Sequence, residues 1–357
     1  MGKRLVVIQL SGGNDWLNTV IPYRNDIYHK NRPRLAINQN EVNKLTDELG
    51  LHPALKSLNA LFDQGEVAIF QGVGYPEPNR SHFRSMDIWH TATDGQSYSD
   101  QGWLGHWSGK SEADFPSLEI NENLSLAMKA DEGKSLAISN LNGIKRIKDD
   151  RLLQAMAHSR EHDHDMASYL YQTAARVTEG ADYLSSLIKP SLRDGSYPSN
   201  ALGADLRIVA NLMKSGAETR VFYTSISGFD THANQKGTQE RLLKNVDESI
   251  QAFRNDLKQT NLWDDTLVMV FSEFGRRVAQ NAGGGTDHGT AGNLWLLSGG
   301  LKKPGWRGEL PSLQNLDQGD LIYNTDFREI YAGILHHWLK SPNAADILGP
   351  HIKTAVI

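Results

Sequence analysis

The sequence has 357 residues, with 37 lysines and arginines against 42 aspartates and glutamates, and its formal net charge of -5 gives no electrostatic reason to expect a nucleic-acid partner. Hydrophobic residues make up 39% and charged residues 22%, as in an ordinary globular chain, and no run approaches the ~20 apolar residues of a membrane span. The absence of cysteine excludes disulfides, thiolate metal ligands and a cysteine nucleophile together.

In chain order, the opening MGKRLVVIQL reads as a first strand over Leu5 to Leu10, its apolar part being too short for the ~7 to 15 residues of a signal-peptide core. Ser11-Gly12-Gly13-Asn14-Asp15 follows at once. Ligands of open α/β sheets bind beyond the carboxyl ends of strands, and paired glycines let the backbone turn sharply there, so Asp15 is a candidate metal ligand. A tight turn with a capping aspartate is the plainer alternative. LSGGND also resembles a pyrophosphate loop of adenylating enzymes, but Trp16 stands where that loop needs serine.

A helix is expected over His52 to Gln64 and a buried strand over Val67 to Phe70. Beyond a Gly/Pro-rich loop lies Asn79-Arg80-Ser81-His82-Phe83. An activated serine hydroxyl can attack phosphorus or sulfur, and Arg80 or His82 can bind anionic oxygens, which makes Ser81 the candidate nucleophile. An N-cap is the structural alternative for Ser81. Gly102 to Ser135 reads as loops with one or two strands, and residues 140 to 190 as one or two long helices. His158, His162 and His164 fall on that helical stretch and read as a solvated face.

Another strand, Arg220 to Ser225, leads into Gly228-Phe229-Asp230-Thr231-His232. Asp230 and His232, two apart on a loop, can face one cation, and a mixed carboxylate and imidazole set suits zinc, manganese or iron better than calcium. The next helix, Thr238 to Gln259, aligns Leu242, Val246, Ile250, Phe253 and Leu257 on one stripe. Strand Thr266 to Phe271 ends in Ser272-Glu273-Phe274-Gly275-Arg276-Arg277, where Glu273 is placed to bind a cation and Arg276 or Arg277 to clamp a planar oxyanion. Gly283-Gly284-Gly285-Thr286-Asp287-His288 precedes a last strand, Leu294 to Leu297. Such glycine density is entropically costly unless something holds the loop, and a metal on His288 would. His336 and His337 read as packing or surface residues. Strands alternating with helices predict a mainly parallel sheet covered on both faces.

These segments, as SGGNDWLNTVIP, LHPAL, RSHF, GFDTHANQ, SEFGRR, NAGGGTDHGT and TDFR, closely resemble the domain of unknown function 1501 family of the alkaline phosphatase-like superfamily. The resemblance implies an α/β fold: one domain over 1–357, a three-layer αβα sandwich with a mainly parallel central sheet and a helical insertion at about 140–190. It places the site at the sheet's carboxyl edge and implies one or two divalent transition metals, zinc or manganese. Carried onto matching positions, it makes Asp15, with Asn14 as the alternative, Asp230, His232, Glu273 and His288 metal ligands and Ser81 the nucleophile, and Arg276 or another cation would then hold the transferred group. Asn14, Arg80, His82 and Asp287 would then surround the substrate. One departure stands out: superfamily phosphatases usually carry an Asp-His pair where this chain has Ser272-Glu273.

The function implied is hydrolysis of anionic esters through a serine. Phosphate esters come before sulfate esters, because Ser81 is followed by His82 and Phe83 and not by the Pro/Arg pattern of sulfatases. The alternative is a metal-stabilised binding or structural protein without catalysis. The expected partner is a small-molecule or anionic ester, without nucleic acid or a membrane span. Members of the family often carry a twin-arginine export signal, so a periplasmic or otherwise exported location is expected although no such signal is present here.

Overall fold

Between Leu5 and Leu10 every residue but Gln9 is apolar, and a strand so composed must be covered on both faces. In the computed structural model, which describes residues 2–157, 165–187, 195–342, 344–349 and 352–357, this segment is the inner strand β1, Arg4–Ser11. The other strands of its sheet are β2 Val67–Gly74, β3 Ser117–Ile120, β4 Ser135–Ile138, β5 Val221–Ser227, β6 Thr266–Phe271, β7 Gly292–Leu297, β8 Gly305–Arg307 and β9 Thr325–Asp326. Their order is β8-β2-β7-β6-β1-β5-β3-β4, with β9 also on β2. Strand β7 runs antiparallel to β2 and β6; the other pairings of the sheet are parallel.

Alternate residues of β1 enter two different cores. Val6, Ile8 and Leu10 pack with helices α1 Lys56–Asp63, α4 Ala201–Lys214 and α5 Gln235–Lys258, through Leu58, Leu206, Val246 and Phe253 among others. Leu5 and Val7 face the other way, onto α2 His82–Thr91, α3 Trp103–Gly109 and α6 Phe327–Gly333, where Trp89, Trp103 and Tyr331 lie. Each such aliphatic side chain contributes about 1.5–3 kcal/mol by burial. The result is an α/β sandwich with helices on both faces of a mostly parallel sheet.

The stripe expected on the long helix is buried throughout, Leu242 to Leu257. The helix expected over His52 to Gln64 starts at Lys56 and not at His52, because His52 Nδ1 accepts the Ala54 amide (3.1 Å) and holds a turn ahead of it. Helix α3 occupies part of the segment expected to be loop. Its Gly102 and Gly105 lie so close to the carbonyls of Leu126 and Lys129 that any Cβ would collide, so the glycines that argue against a helix are there for close packing. Between 141 and 187 the described residues form three helices, Leu141–Asp149, Arg151–Ala157 and Asp165–Leu187. His158, His162 and His164 lie outside the described residues. No helix of the described residues is long and apolar enough to cross a membrane.

Helix α4 carries one carboxylate against β5: Thr224 Oγ1 donates to Asp205 Oδ2 at 2.6 Å. Burial pushes the Asp205 carboxyl up from 3.8 to about 6, against the opposing hydrogen bond. Its raised pKa means that its contribution to stability is complete below pH 3.8 and is lost as pH rises through 6. Asp205→Asn is therefore expected to stabilise the fold by about 1–3 kcal/mol at neutral pH. Denaturant unfolding at several pH values should show that advantage closing as the medium is acidified; an advantage independent of pH contradicts the assignment.

Candidate metal centre

Because β1, β2, β5 and β6 run parallel, their carboxyl ends open onto one edge of the sheet. The antiparallel β7 brings residues 283–291 to the same edge from the other direction. Four distant segments thereby meet: 11–15, 80–82, 228–232 and 272–288. Gly12, at φ 118°, makes the approach possible, since a Cβ there would collide with the Asp230 amide nitrogen.

Asp230 lies at the centre. His232 Nε2 and His288 Nε2 each lie 3.1 Å from its Oδ1, and His82 Nε2 lies 3.4 Å from its Oδ2. On the far side of each ring, Nδ1 meets an acceptor: Glu273 Oε1 for His82 (2.8 Å), Asp287 Oδ1 for His232 (3.1 Å) and the Arg80 carbonyl for His288 (2.8 Å). A carboxylate and a carbonyl only accept, so each Nδ1 carries a proton, and whenever such a ring holds no second proton its Nε2 lone pair faces the centre. His232 Nε2 and His288 Nε2 are 2.9 Å apart. Two lone pairs and a carboxylate so close repel one another unless positive charge is shared among them.

His82 Nε2 is moreover buried without a hydrogen-bond partner, and such an orphan costs roughly 1–3 kcal/mol. His82, Asp230 and His288 offer ligand atoms within 4.8 Å of one another, the one such group of His and acidic residues among the described residues. Three imidazoles whose outer nitrogens are held, together with a carboxylate, fit a transition-metal cation. The donor chemistry and the orphaned atom both pass that test.

Charge follows the same geometry. Burial pushes the Asp230 carboxyl up, but the contacts from Arg276 and His288 and the charge of Arg276 prevail and hold it at about 2. The hydrogen bond to Glu273, stronger than the opposing burial, raises His82. Burial lowers His288, and hydrogen bonds donated by Asn281 and His232 lower Asp287.

Several residues chosen from the sequence stand elsewhere than expected. Asp15 is buried, and its Oδ2 takes Arg32 Nη1 and Gln235 Nε2, both at 2.5 Å; its carboxylate is committed to that ion pair and does not join the cluster. Asn14 is likewise buried, bonded to Thr19 and Gln239 and out of a substrate's reach. Glu273 is buried behind His82 and accepts the Gly12 amide (2.8 Å), so it orients a ligand and is not one of the converging donors. His82, expected to touch substrate, is one of those donors.

Arg276 is not an oxyanion clamp. Its enclosed guanidinium donates to the carbonyls of Gly13 (2.6 Å), Thr286 (2.8 Å) and Gly12 (2.5 Å) and to Asp230 Oδ1 (2.7 Å), tying three loops together. The glycine-rich loop is held in part by protein, through Thr286 N–H on the Thr231 carbonyl (3.2 Å). Asn281, not anticipated, donates to Asp287 Oδ1 (3.0 Å) and to the His232 carbonyl (2.9 Å), steadying the acceptor behind that ring. Arg80 pairs with Asp320, and Arg277 lies 3.6 Å from the same carboxylate.

Ser81 sits at the N-cap of α2 yet makes no capping hydrogen bond with its side chain, and it is exposed. Its neighbours on either side touch the cluster, Arg80 through its carbonyl on His288 and His82 through its ring. Glu273→Gln keeps the shape behind His82 but removes the charge, and is expected to weaken cation binding by about 10–100-fold. A competitive chelator titration reads this, and unchanged affinity contradicts the role given to Glu273.

No curated protein matches the chain. Among solved structures it is similar to a protein in the alkaline phosphatase superfamily from Vibrio parahaemolyticus, with TM-score 0.44, 10% identity, 94% of this chain and 66% of that one covered. The C-terminal periplasmic domain of EcEptC from Escherichia coli gives TM-score 0.43 and 10% identity over 99% of this chain and 88% of that one. For the phosphonate monoester hydrolase SpPMH from Silicibacter pomeroyi the TM-score is 0.40, with 11% identity over 100% of this chain and 75% of that one. The model of a family described as a protein of unknown function, DUF1501, matches residues 2–339. The chain therefore belongs to the DUF1501 family.

Proposed function

We propose that this protein is a cation-dependent hydrolase of phosphate esters, with sulfate esters the lesser alternative, and that Ser81 is its nucleophile. The observation that supports this best is the convergence of three imidazole Nε2 atoms on the Asp230 carboxylate, with Ser81 next to His82 in the chain, exposed and making no capping bond with its side chain. His82, Asp230, His232 and His288 would hold one cation; the second ion of the expected pair finds no matching donor set among the described residues. The mixed nitrogen and oxygen donors favour zinc or manganese. A cation in this place supplies Lewis acidity, lowering a hydroxyl's pKa and taking up charge on the transferred group.

The chain's own residues do the rest. Ser81 stands where the amides at the start of α2 point outward, and a helix N-terminus favours an anionic group there. Ser81 Oγ gives up its proton and bonds to phosphorus, and the ester oxygen departs as an alcohol on taking up a proton. Water then attacks the phosphoserine, releases phosphate and restores the serine. Glu273, Asp287 and the Arg80 carbonyl keep the three rings turned inward throughout, and Arg276 fixes Asp230. Location outside the cytoplasm belongs to the same reading.

The test is turnover of 4-nitrophenyl phosphate and 4-nitrophenyl sulfate by protein loaded with zinc or manganese, with and without chelator. Phosphate release that chelation abolishes and added cation restores is expected. A loaded protein that turns over neither ester contradicts the proposal and favours a metal-stabilised binding protein.

A further inference from the structure

Beside the cluster lies a cleft of about 650 Å³, which Arg80, Glu273 and Phe274 share with the site. That volume suits a compact organic group and not a polymer chain. Its floor is aromatic and fixed: Tyr75, Trp89 and Phe274 are buried, and Trp89 stacks between Phe271 (5.0 Å) and Phe327 (4.3 Å). The lining is completed by Asp317, Gln318 and residues 320–323, from the hairpin Leu316–Asp317 and Asp320–Leu321 and the chain after it. Thr290 Oγ1 donates to the Leu321 carbonyl (2.6 Å), and Asp320 pairs with Arg80, so the hairpin is anchored.

The charge of this cleft is one-sided. Arg80 is the single cationic residue of its lining, and Asp320 already takes that charge. Glu77 and Asp317 also line it, are exposed, and pair with no cation among the described residues. Asp320 is itself buried, and its Oδ1 has no hydrogen-bond partner among the described residues, the Arg277 Nε being 3.6 Å away. Surplus carboxylate beside a rigid aromatic lining attracts an ammonium group by direct charge and repels further anionic groups.

Resting on the hydrolase reading, we infer that the organic part of the substrate is a compact group bearing a positive charge. Its ester oxygens lie toward the histidine cluster and its cationic end lies between Tyr75, Trp89 and Phe274 and the hairpin that carries Asp317. Glu77 and Asp317 select it against anionic esters; polyanions such as polyphosphates are excluded by the same charge.

The test is calorimetric binding of three phenylphosphonates to the zinc-loaded full chain: para-trimethylammonium, unsubstituted and para-carboxylate. The ammonium compound is expected to bind about tenfold or more tighter than the carboxylate, a difference of about 1.4 kcal/mol. The double variant Glu77→Gln with Asp317→Asn is expected to bring that ratio within about twofold, as the carboxylates that remain in the lining, Asp320 and Glu273, are already engaged by Arg80 and His82. Equal or tighter binding of the carboxylate compound, a ratio that survives the double variant, or binding of none of the three overturns the inference. Turnover of phenyl phosphate by the same preparation reports separately on the hydrolase reading, so failure of one is distinguishable from failure of the other.

Discussion

Ser81→Ala is expected to lower kcat/KM for an aryl phosphate by about 10³-fold or more, because loss of the attacking atom leaves no covalent route. Cation content and unfolding midpoint should stay as in the wild type. Ser81 is exposed and its hydroxyl makes no capping bond, so its removal breaks no contact of the fold, and surface changes of this kind fall within about 0.5 kcal/mol. A phosphoserine trapped by acid quench in the wild type and missing from the variant would complete the case. Full activity in Ser81→Ala would mean that water attacks directly, and would leave the metal centre standing while removing the nucleophile.

The second large effect is expected at Arg276, through stability and geometry and not through contact with substrate. Arg276→Met leaves the carbonyls of Gly12, Gly13 and Thr286 and the Asp230 carboxylate without their donor. Breaking a buried charged network by removing one member costs about 3–5 kcal/mol. Arg276→Lys should recover little of this, since a single ammonium cannot reproduce a planar fork that reaches three loops at once. Denaturant midpoints and a chelator titration on the same samples are the readout, with stability and cation affinity falling together. A lysine variant as stable as the wild type would show that the fork does not organise the site.

The legible part of this molecule is what local pattern dictates. Apolar runs such as Leu5 to Leu10 and Thr266 to Phe271 have to be inner strands, and the spacing of Leu242, Val246, Ile250, Phe253 and Leu257 has to face a core. The strand-end motifs lie along one edge of the sheet, because chain reversals after parallel strands gather there. Position within the site was less legible. His82 and Glu273 are 191 residues apart, and nothing near either one says that they share a hydrogen bond. Without that bond His82 looks like a substrate contact and Glu273 like a ligand.

The place of Asp15 is illegible in the sequence for a related reason. Its partner, Arg32, sits in an unremarkable stretch whose only signal is one arginine among several, and burial, invisible in the sequence, turns that arginine into an obligatory ion pair. The same holds for Arg276, whose enclosure converts an apparent substrate clamp into a tie between loops. Helix α3 was hidden by Gly102 and Gly105, which favour loops until the backbone packed against them is seen. Local propensity gave way to tertiary packing in each case.

The central claim is that His82, Asp230, His232 and His288 hold a cation, and elemental analysis of protein purified without chelator tests it most directly. The wild type is expected to carry about one equivalent of transition metal, lost in both Asp230→Ala and His288→Ala, as removal of a ligand from a four-donor site predicts. A wild type that is metal-free and takes up none on loading, or variants that keep the metal, would contradict the account.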